Sequence, residues 1–259
     1  KPHTAEMNVY DICSHYPSIL QSKSMSFPTG KPMYEKMTQE EFDKLEYYPY
    51  GIYRAVIESE IDKRLLTVNP QHHYTHLDLT TAKSLGYTIT LIQDNSANVC
   101  KYPRRTTGST LFGQYVKYMY QLKEQHKHPL SKKLLNILWG ALCQKRYQYD
   151  TTKQGKVEIV SLHKSEIFLN NVETALVVKS EKEYKLPYAR IGVFLTAKGR
   201  SVISAFIKPI KDTVYRVHTD GFYTTSTITI LSKSLGGLKH EDTNTYEVKN
   251  MTKPRVAVG

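Results

Sequence analysis

The sequence predicts an α+β fold: an antiparallel sheet with helices, a helical hairpin, and small β-rich insertions. Three patterns carry that expectation. Apolar and polar residues alternate in short runs near both ends of the chain. Two helical stretches meet at Pro129, and two strand-like runs flank the polar corner His218-Thr219-Asp220-Gly221.

Taken in order, Met7 to Leu20 reads as a strand (Val9, Tyr10, Ile12) that turns at Ser14-His15-Tyr16-Pro17 and enters a helix at Pro17. A Ser/Pro/Gly-rich loop follows, and Thr38-Gln39-Glu40-Glu41 is a capping-box pattern that opens a short helix to about Glu46. From Gly51 to Asp94 the β-branched and aromatic pattern returns, at Ile52 to Ile57 and at Leu65-Leu66-Thr67-Val68. A short helix around Thr80 to Leu85 and a strand at Tyr87 to Ile92 complete a mixed α+β stretch.

Pro103 to Gly108 reads as a basic loop. Helices follow from about Ser109 to Gln125 and from about Leu130 to Cys143. Strands are expected at Lys156 to Leu162, Ile167 to Leu169 and Ala175 to Val178. Gly192-Val193-Phe194-Leu195 leads into a helix from Thr196 to about Lys208, and Val214 to Thr229 holds the final pair of strands.

Composition bounds the partners. The 259 residues are enough to bury a real core in one large or two small domains. Thirty-six Lys and Arg against 24 acids give a formal charge of +12, which favours polyanions such as nucleic acid, although a solvated basic surface has the same balance. Twenty tyrosines suit base stacking and ordinary cores equally. Three separated cysteines suggest neither a disulfide framework nor a zinc knuckle. No apolar run reaches membrane-spanning length and no apolar signal core opens the chain, so neither a membrane nor a secretory location is expected.

Two acids end apolar strands: Asp11 after Asn8-Val9-Tyr10, and Asp220 between Val214–Val217 and Phe222-Tyr223. Carboxylates at neighbouring strand ends suit a pair of divalent ions roughly 3.5–4 Å apart, the arrangement of two-metal phosphoryl transfer. Each acid alone also fits a simple turn. The second hairpin helix adds Lys132, Asn136, Trp139 and Gly140 at i, i+4, i+7 and i+8, a polar stripe opposite the expected core stripe Leu134, Leu135, Leu138 and Leu142. The cluster His72-His73-Tyr74-Thr75-His76 lacks a fourth ligand at useful spacing and reads as a surface or packed group.

These residues carry a resemblance. Tyr10-Asp11-Ile12-Cys13-Ser14-His15-Tyr16-Pro17-Ser18 resembles the first palm motif of family B DNA polymerases, an Asp followed by Ser-x-Tyr-Pro-Ser. Lys132-Lys133-Leu134-Leu135-Asn136-Ile137-Leu138-Trp139-Gly140 is similar to their fingers motif, and His218-Thr219-Asp220-Gly221 to the second palm motif. Thr196-Ala197-Lys198-Gly199-Arg200 matches a Thr-x-x-Gly-Arg template motif, preceded by Gly192-Val193-Phe194-Leu195 as in the protein-primed branch. The stretch Leu235 to Glu241, with Lys253-Pro254-Arg255, resembles the approach to a Lys-x-Tyr primer motif.

The resemblance implies a template-directed DNA polymerase that joins a dNTP to a primer 3′-hydroxyl. Asp11 and Asp220 would hold two Mg²⁺ ions, with Mn²⁺ as substitute. The nucleotide would meet the backbone at Ile12, Cys13 and Ser14, the sugar-gating ring of Tyr16, the cations Lys123 and Lys132, and Asn136 and Trp139. DNA would meet Gly140, Thr196, Gly199, Arg200, Thr219 and Lys253. Partners would be template and primer DNA, dNTP and a terminal protein primer, in the cytoplasm or a host nucleus during viral, phage or plasmid replication.

The implied layout is a first palm segment at 1–53, an insertion at 54–105, a fingers hairpin at 106–146, a β-rich insertion at 147–190, and a second palm segment with the start of a thumb at 191–259. The chain begins ten residues before Asp11 and stops soon after Lys253, so exonuclease and thumb regions are expected in a longer polymerase. Three departures stand out: His218 for the usual Asp, Trp139 for Tyr and Arg255 for Tyr. They leave open a catalytically impaired relative that binds nucleic acid or docks a protein.

Overall fold

The computed structural model describes residues 3–58, 60–125, 129–145, 165–168, 177–180, 184–248 and 255–256. The chain divides into two compact units, Lys1–Asn136 with Val193–Gly259, and Ile137–Gly192.

The first unit is organised by β1 (His3–Ile12), the middle strand of a five-stranded antiparallel sheet. On one side it pairs with β12 (Gly221–Thr224), which pairs in turn with β11 (Val214–Val217). On the other it pairs with β13 (Leu238–Val248) and then β14 (Arg255–Val256). A register shift interrupts the β1–β13 ladder between Val9 and Tyr10. Strand alternation sorts the side chains of β1 onto two faces. Tyr10 and Ile12 enter a core with Phe222, Leu238, Val214, Ile203 and Ile207. Met7, packed with Tyr223, Tyr246 and Val9, belongs to the opposite face, at whose end stands Asp11.

A second antiparallel sheet joins β3 (Met33–Glu35), β7 (Val99–Lys101), β4 (Gly51–Glu58) and β5 (His73–Thr75), with β6 (Thr88–Leu91) on the later half of β4. In β4 alternate residues are buried, and Tyr53, Ala55 and Ile57 share a core with Phe42, Leu66, Leu79 and Leu91. Helix α2 (Gln39–Asp43) starts with the expected capping box at Thr38 and Glu41. Helix α3 (His76–Ser84) starts with a second one at Thr75 and Asp78, four residues before the expected helix start. The basic loop forms a strand at its end: β8 (Arg105–Thr107) pairs with β2 (Ser26–Pro28).

Leu65-Leu66, expected in a strand, lies in a turn closed by Leu65 N and Leu66 N on the Asp62 carbonyl, at 2.9 and 3.1 Å. The two apolar side chains are drawn into different cores, Leu65 with the β1 sheet and Leu66 with the β4 sheet.

Helix α1 (His15–Leu20) begins two residues before Pro17, after Ser14 in a left-handed conformation (φ 47°). Helices α4 (Gly108–Gln125) and α5 (Pro129–Leu142) form the expected hairpin, with Tyr115 Oη donating to the Leu134 carbonyl at 3.3 Å. The expected core stripe of α5 is only partly buried: Leu135 is enclosed, whereas Leu134 is exposed. Helix α6 (Ala189–Ile207) begins seven residues before Thr196, so Gly192 to Leu195 lie inside it.

In the second unit β9 (Ser165–Phe168) pairs with β10 (Val177–Ser180). The strand expected at Lys156 to Leu162 lies outside the described residues. Among the described residues no helix is long and apolar enough to cross a membrane.

Candidate active site

Asp11 is the penultimate residue of β1, and its neighbours across the ladder are Gly221 on β12 and Lys239 on β13. Gly221 is required there: a Cβ would collide with the Tyr10 carbonyl oxygen. Asp220 lies in the turn just before β12. Its carbonyl accepts from Ile12 N at 2.7 Å, and His218 N donates to the Gly221 carbonyl at 2.7 Å, so the turn is tied at both ends. The His218 ring lies 5.7 Å from that of Tyr223.

The two sequence-predicted acids are thus brought together and sense each other. Burial and the Asp220 charge raise the Asp11 carboxyl above its ordinary range, against the pull of Lys239. Lys239 Nζ lies 3.3 Å from Asp11 Oδ2 and also contacts Glu241. Burial works against its charge, yet Glu241 and Asp11 keep the ammonium above its usual range.

Around the pair, Lys123 Nζ donates to Ser14 Oγ at 3.4 Å, bringing the hairpin helix α4 to the turn after β1. Tyr16 packs on α6 beside His15, whose Nε2 is 3.3 Å from the Gly199 carbonyl. Gly199 is buried beneath both rings, and a Cβ on it would lie 2.9 Å from Tyr16 and 3.1 Å from His15. Burial raises the Tyr16 hydroxyl and lowers the His15 imidazole, and the Asp220 charge reaches both.

Some expected groups are already engaged. The amides of Ile12 and Cys13, expected to cup a triphosphate, donate instead to the carbonyls of Asp220 and Gly237, at 2.7 and 2.8 Å. They continue the sheet edge, which leaves them no role as free donors. Arg200 forms an ion pair with Asp78 at 2.9 Å. Thr196 Oγ1 donates to the Val193 carbonyl one turn back in α6, at 3.1 Å.

Thr219 is exposed. On α5, Lys132 and Asn136 are exposed, Trp139 is half-buried, and a Cβ on Gly140 would meet nothing within 4 Å. Lys253 lies outside the described residues. The three histidines diverge: His73 Nδ1 pairs with the Gln71 carbonyl, His76 packs 4.2 Å from Tyr50, and His72 takes a left-handed conformation.

Sequence reasoning missed Lys239, Glu241 and Asp78 as neighbours of the site. No local pattern signals them: Lys239 meets Asp11 through strand register, and Glu241 is the residue left without a ladder partner where the β1–β13 register shifts.

Comparison with curated protein sequences returns no match. The family model for DNA polymerase type B, organellar and viral, matches residues 1–211, and the chain belongs to that family. Among solved structures, Phi29 DNA polymerase with primer-template DNA and incoming nucleotides is similar at TM-score 0.64 and 19% identity. Phi29 DNA polymerase with single-stranded DNA is similar at TM-score 0.63 and 19% identity. Each match covers 98% of this chain and 50% of the other, so the chain spans about half the length of these polymerases. At that identity the likeness establishes the fold.

Proposed function

We propose that this chain forms the palm and fingers of a template-directed DNA polymerase. The observation that carries the reading is the meeting of Asp11 and Asp220 at the end of β1, beside Ser14, Tyr16 and Lys123.

Family B polymerases use divalent metals, and the residues here fit such an ion. Asp11 is half-buried and opposed by a second carboxylate, a charge arrangement that a divalent cation relieves. Among the described residues no group of three or more His, Cys, Asp or Glu forms a metal cage. Two carboxylates therefore leave coordination positions for phosphate oxygens and water, as Mg²⁺ prefers. Bound there, a pair of ions would neutralise charge on the attacking and leaving oxygens.

The chain's own residues do the positioning. Lys123 and the exposed Lys132 attract the triphosphate, Asn136 and Trp139 orient the nucleotide, and the Tyr16 ring excludes a ribose 2′-hydroxyl. Gly140, Thr196, Arg200 and Thr219 line the path of DNA, with Lys253 at the primer end, whereas the buried Gly199 seats the Tyr16 ring and does not meet DNA itself. The primer 3′-hydroxyl attacks the α-phosphate in line and pyrophosphate leaves, a reaction governed by alignment and charge. A terminal protein as primer is supported by the Gly192-Val193-Phe194-Leu195 signature.

Primer extension with Mg²⁺ or Mn²⁺, with deoxy- or ribonucleotides, tests the reading. Extension with deoxynucleotides alone, abolished in Asp220→Ala, is expected. Salt-sensitive DNA binding that survives loss of both acids, without extension, would replace it with a nucleic-acid-binding role.

A further inference from the structure

We propose that Lys239 is a positioning residue for Asp11, holding one carboxylate oxygen so that the other faces Asp220, and thereby weakening uptake of divalent metal. This inference rests on Asp11 and Asp220 being the metal-binding pair.

The two oxygens of Asp11 face different strands. Toward β12 the neighbour is Gly221, whose absent Cβ would lie 3.4 Å from Oδ1, so that side is open. Toward β13 the neighbour is Lys239, with Nζ 3.3 Å from Oδ2. The ladder sets this division, because Asp11 is in register with both Gly221 and Lys239. Glu241, two residues along β13, binds the same ammonium and keeps it from swinging into solvent.

Two consequences follow for a cation at the acids. With Oδ2 held by Lys239, Asp11 offers Oδ1 as a single ligand and does not close around the ion with both oxygens. The anchored ammonium also repels a divalent ion a few ångströms away, through side chains that are each only about 30% exposed. Both effects weaken binding and favour exchange of the ion with each nucleotide.

The test is a titration of the whole chain with Mn²⁺, following the free ion by electron paramagnetic resonance and the fold by circular dichroism. Wild type, Asp11→Ala, Lys239→Met, Lys239→Gln and Lys239→Arg are compared. Uptake that is lost in Asp11→Ala, tightened about tenfold in the Met and Gln variants, and near wild type in Lys239→Arg supports the proposal. Unchanged or weaker affinity in the folded Met and Gln variants overturns it, as does loss of the fold in both. Wild-type protein that takes up no Mn²⁺ through Asp11 overturns the metal-site reading and this inference with it.

Discussion

The guanidinium of Arg200 closes on the carboxylate of Asp78, with Nη2 at 2.9 Å and Nε at 3.3 Å from the same oxygen. Asp78 is nearly buried and also accepts from Thr75 N and Thr75 Oγ1, at 3.0 and 2.8 Å, as the cap of α3. The proposed template residue is therefore fixed by a helix of the neighbouring sheet. Arg200→Ala is expected to cost about 1–2 kcal/mol, below the buried-pair range because the arginine is partly exposed. Asp78→Ala should cost about 1 kcal/mol more, through loss of the cap. Urea unfolding of both singles and the double variant would show a coupling of about 1 kcal/mol; strict additivity would contradict the pairing.

Gly199→Ala should displace the rings of Tyr16 and His15, since the new methyl has no space beneath them. Overpacking of about 1–3 kcal/mol outweighs the helix-propensity gain of about 1 kcal/mol. A lower melting temperature together with increased ribonucleotide incorporation is expected. Retained discrimination would separate Tyr16 from the sugar gate.

His76 gives the protein a defined acid sensitivity. Burial against Tyr50 and Phe194 lowers its imidazole to about 4 from 6.5. The unfolded chain takes up the proton first, so stability is intact above about pH 6.5 and falls as the pH drops toward 4. The loss is about 3 kcal/mol at most. His15, lowered by burial, acts in the same direction. Urea midpoints measured between pH 7 and 4 should fall less steeply in His76→Phe; parallel curves would rule out His76 as the source.

Lys132→Ala is expected to raise the nucleotide KM about tenfold while leaving the unfolding midpoint unchanged, because the side chain is exposed on α5. An unchanged KM would remove Lys132 from the nucleotide site.

The sequence showed most clearly what is locally encoded. Asp11 and Asp220 could be placed at strand ends because short apolar runs, Val9-Tyr10 before one and Val214 to Val217 with Phe222-Tyr223 around the other, are broken there by polar turns. The hairpin helices and the Thr38 capping box were equally visible. Strand β13 was not foreseen: of its eleven residues only Leu238 and Tyr246 are buried, so it has no apolar rhythm and is specified by its pairing with β1. The first turns of α6 are hidden in the sequence because Gly192 weakens helical propensity there, yet it occupies a spot where a Cβ would strike Cys143. The cross-strand neighbour Lys239 and the distant partner Asp78 depend on register and tertiary packing, which no local pattern reports.

The split burial of Leu65 and Leu66 has a mechanical meaning. Adjacent residues inserted in separate cores act as a rivet: neither sheet can loosen without dragging the turn between them. Partial opening at this seam would strip both leucines of their neighbours at once, so the β1 and β4 sheets should melt as a single cooperative block. The proposed catalytic acids then inherit their rigidity from a region that carries none of the chemistry.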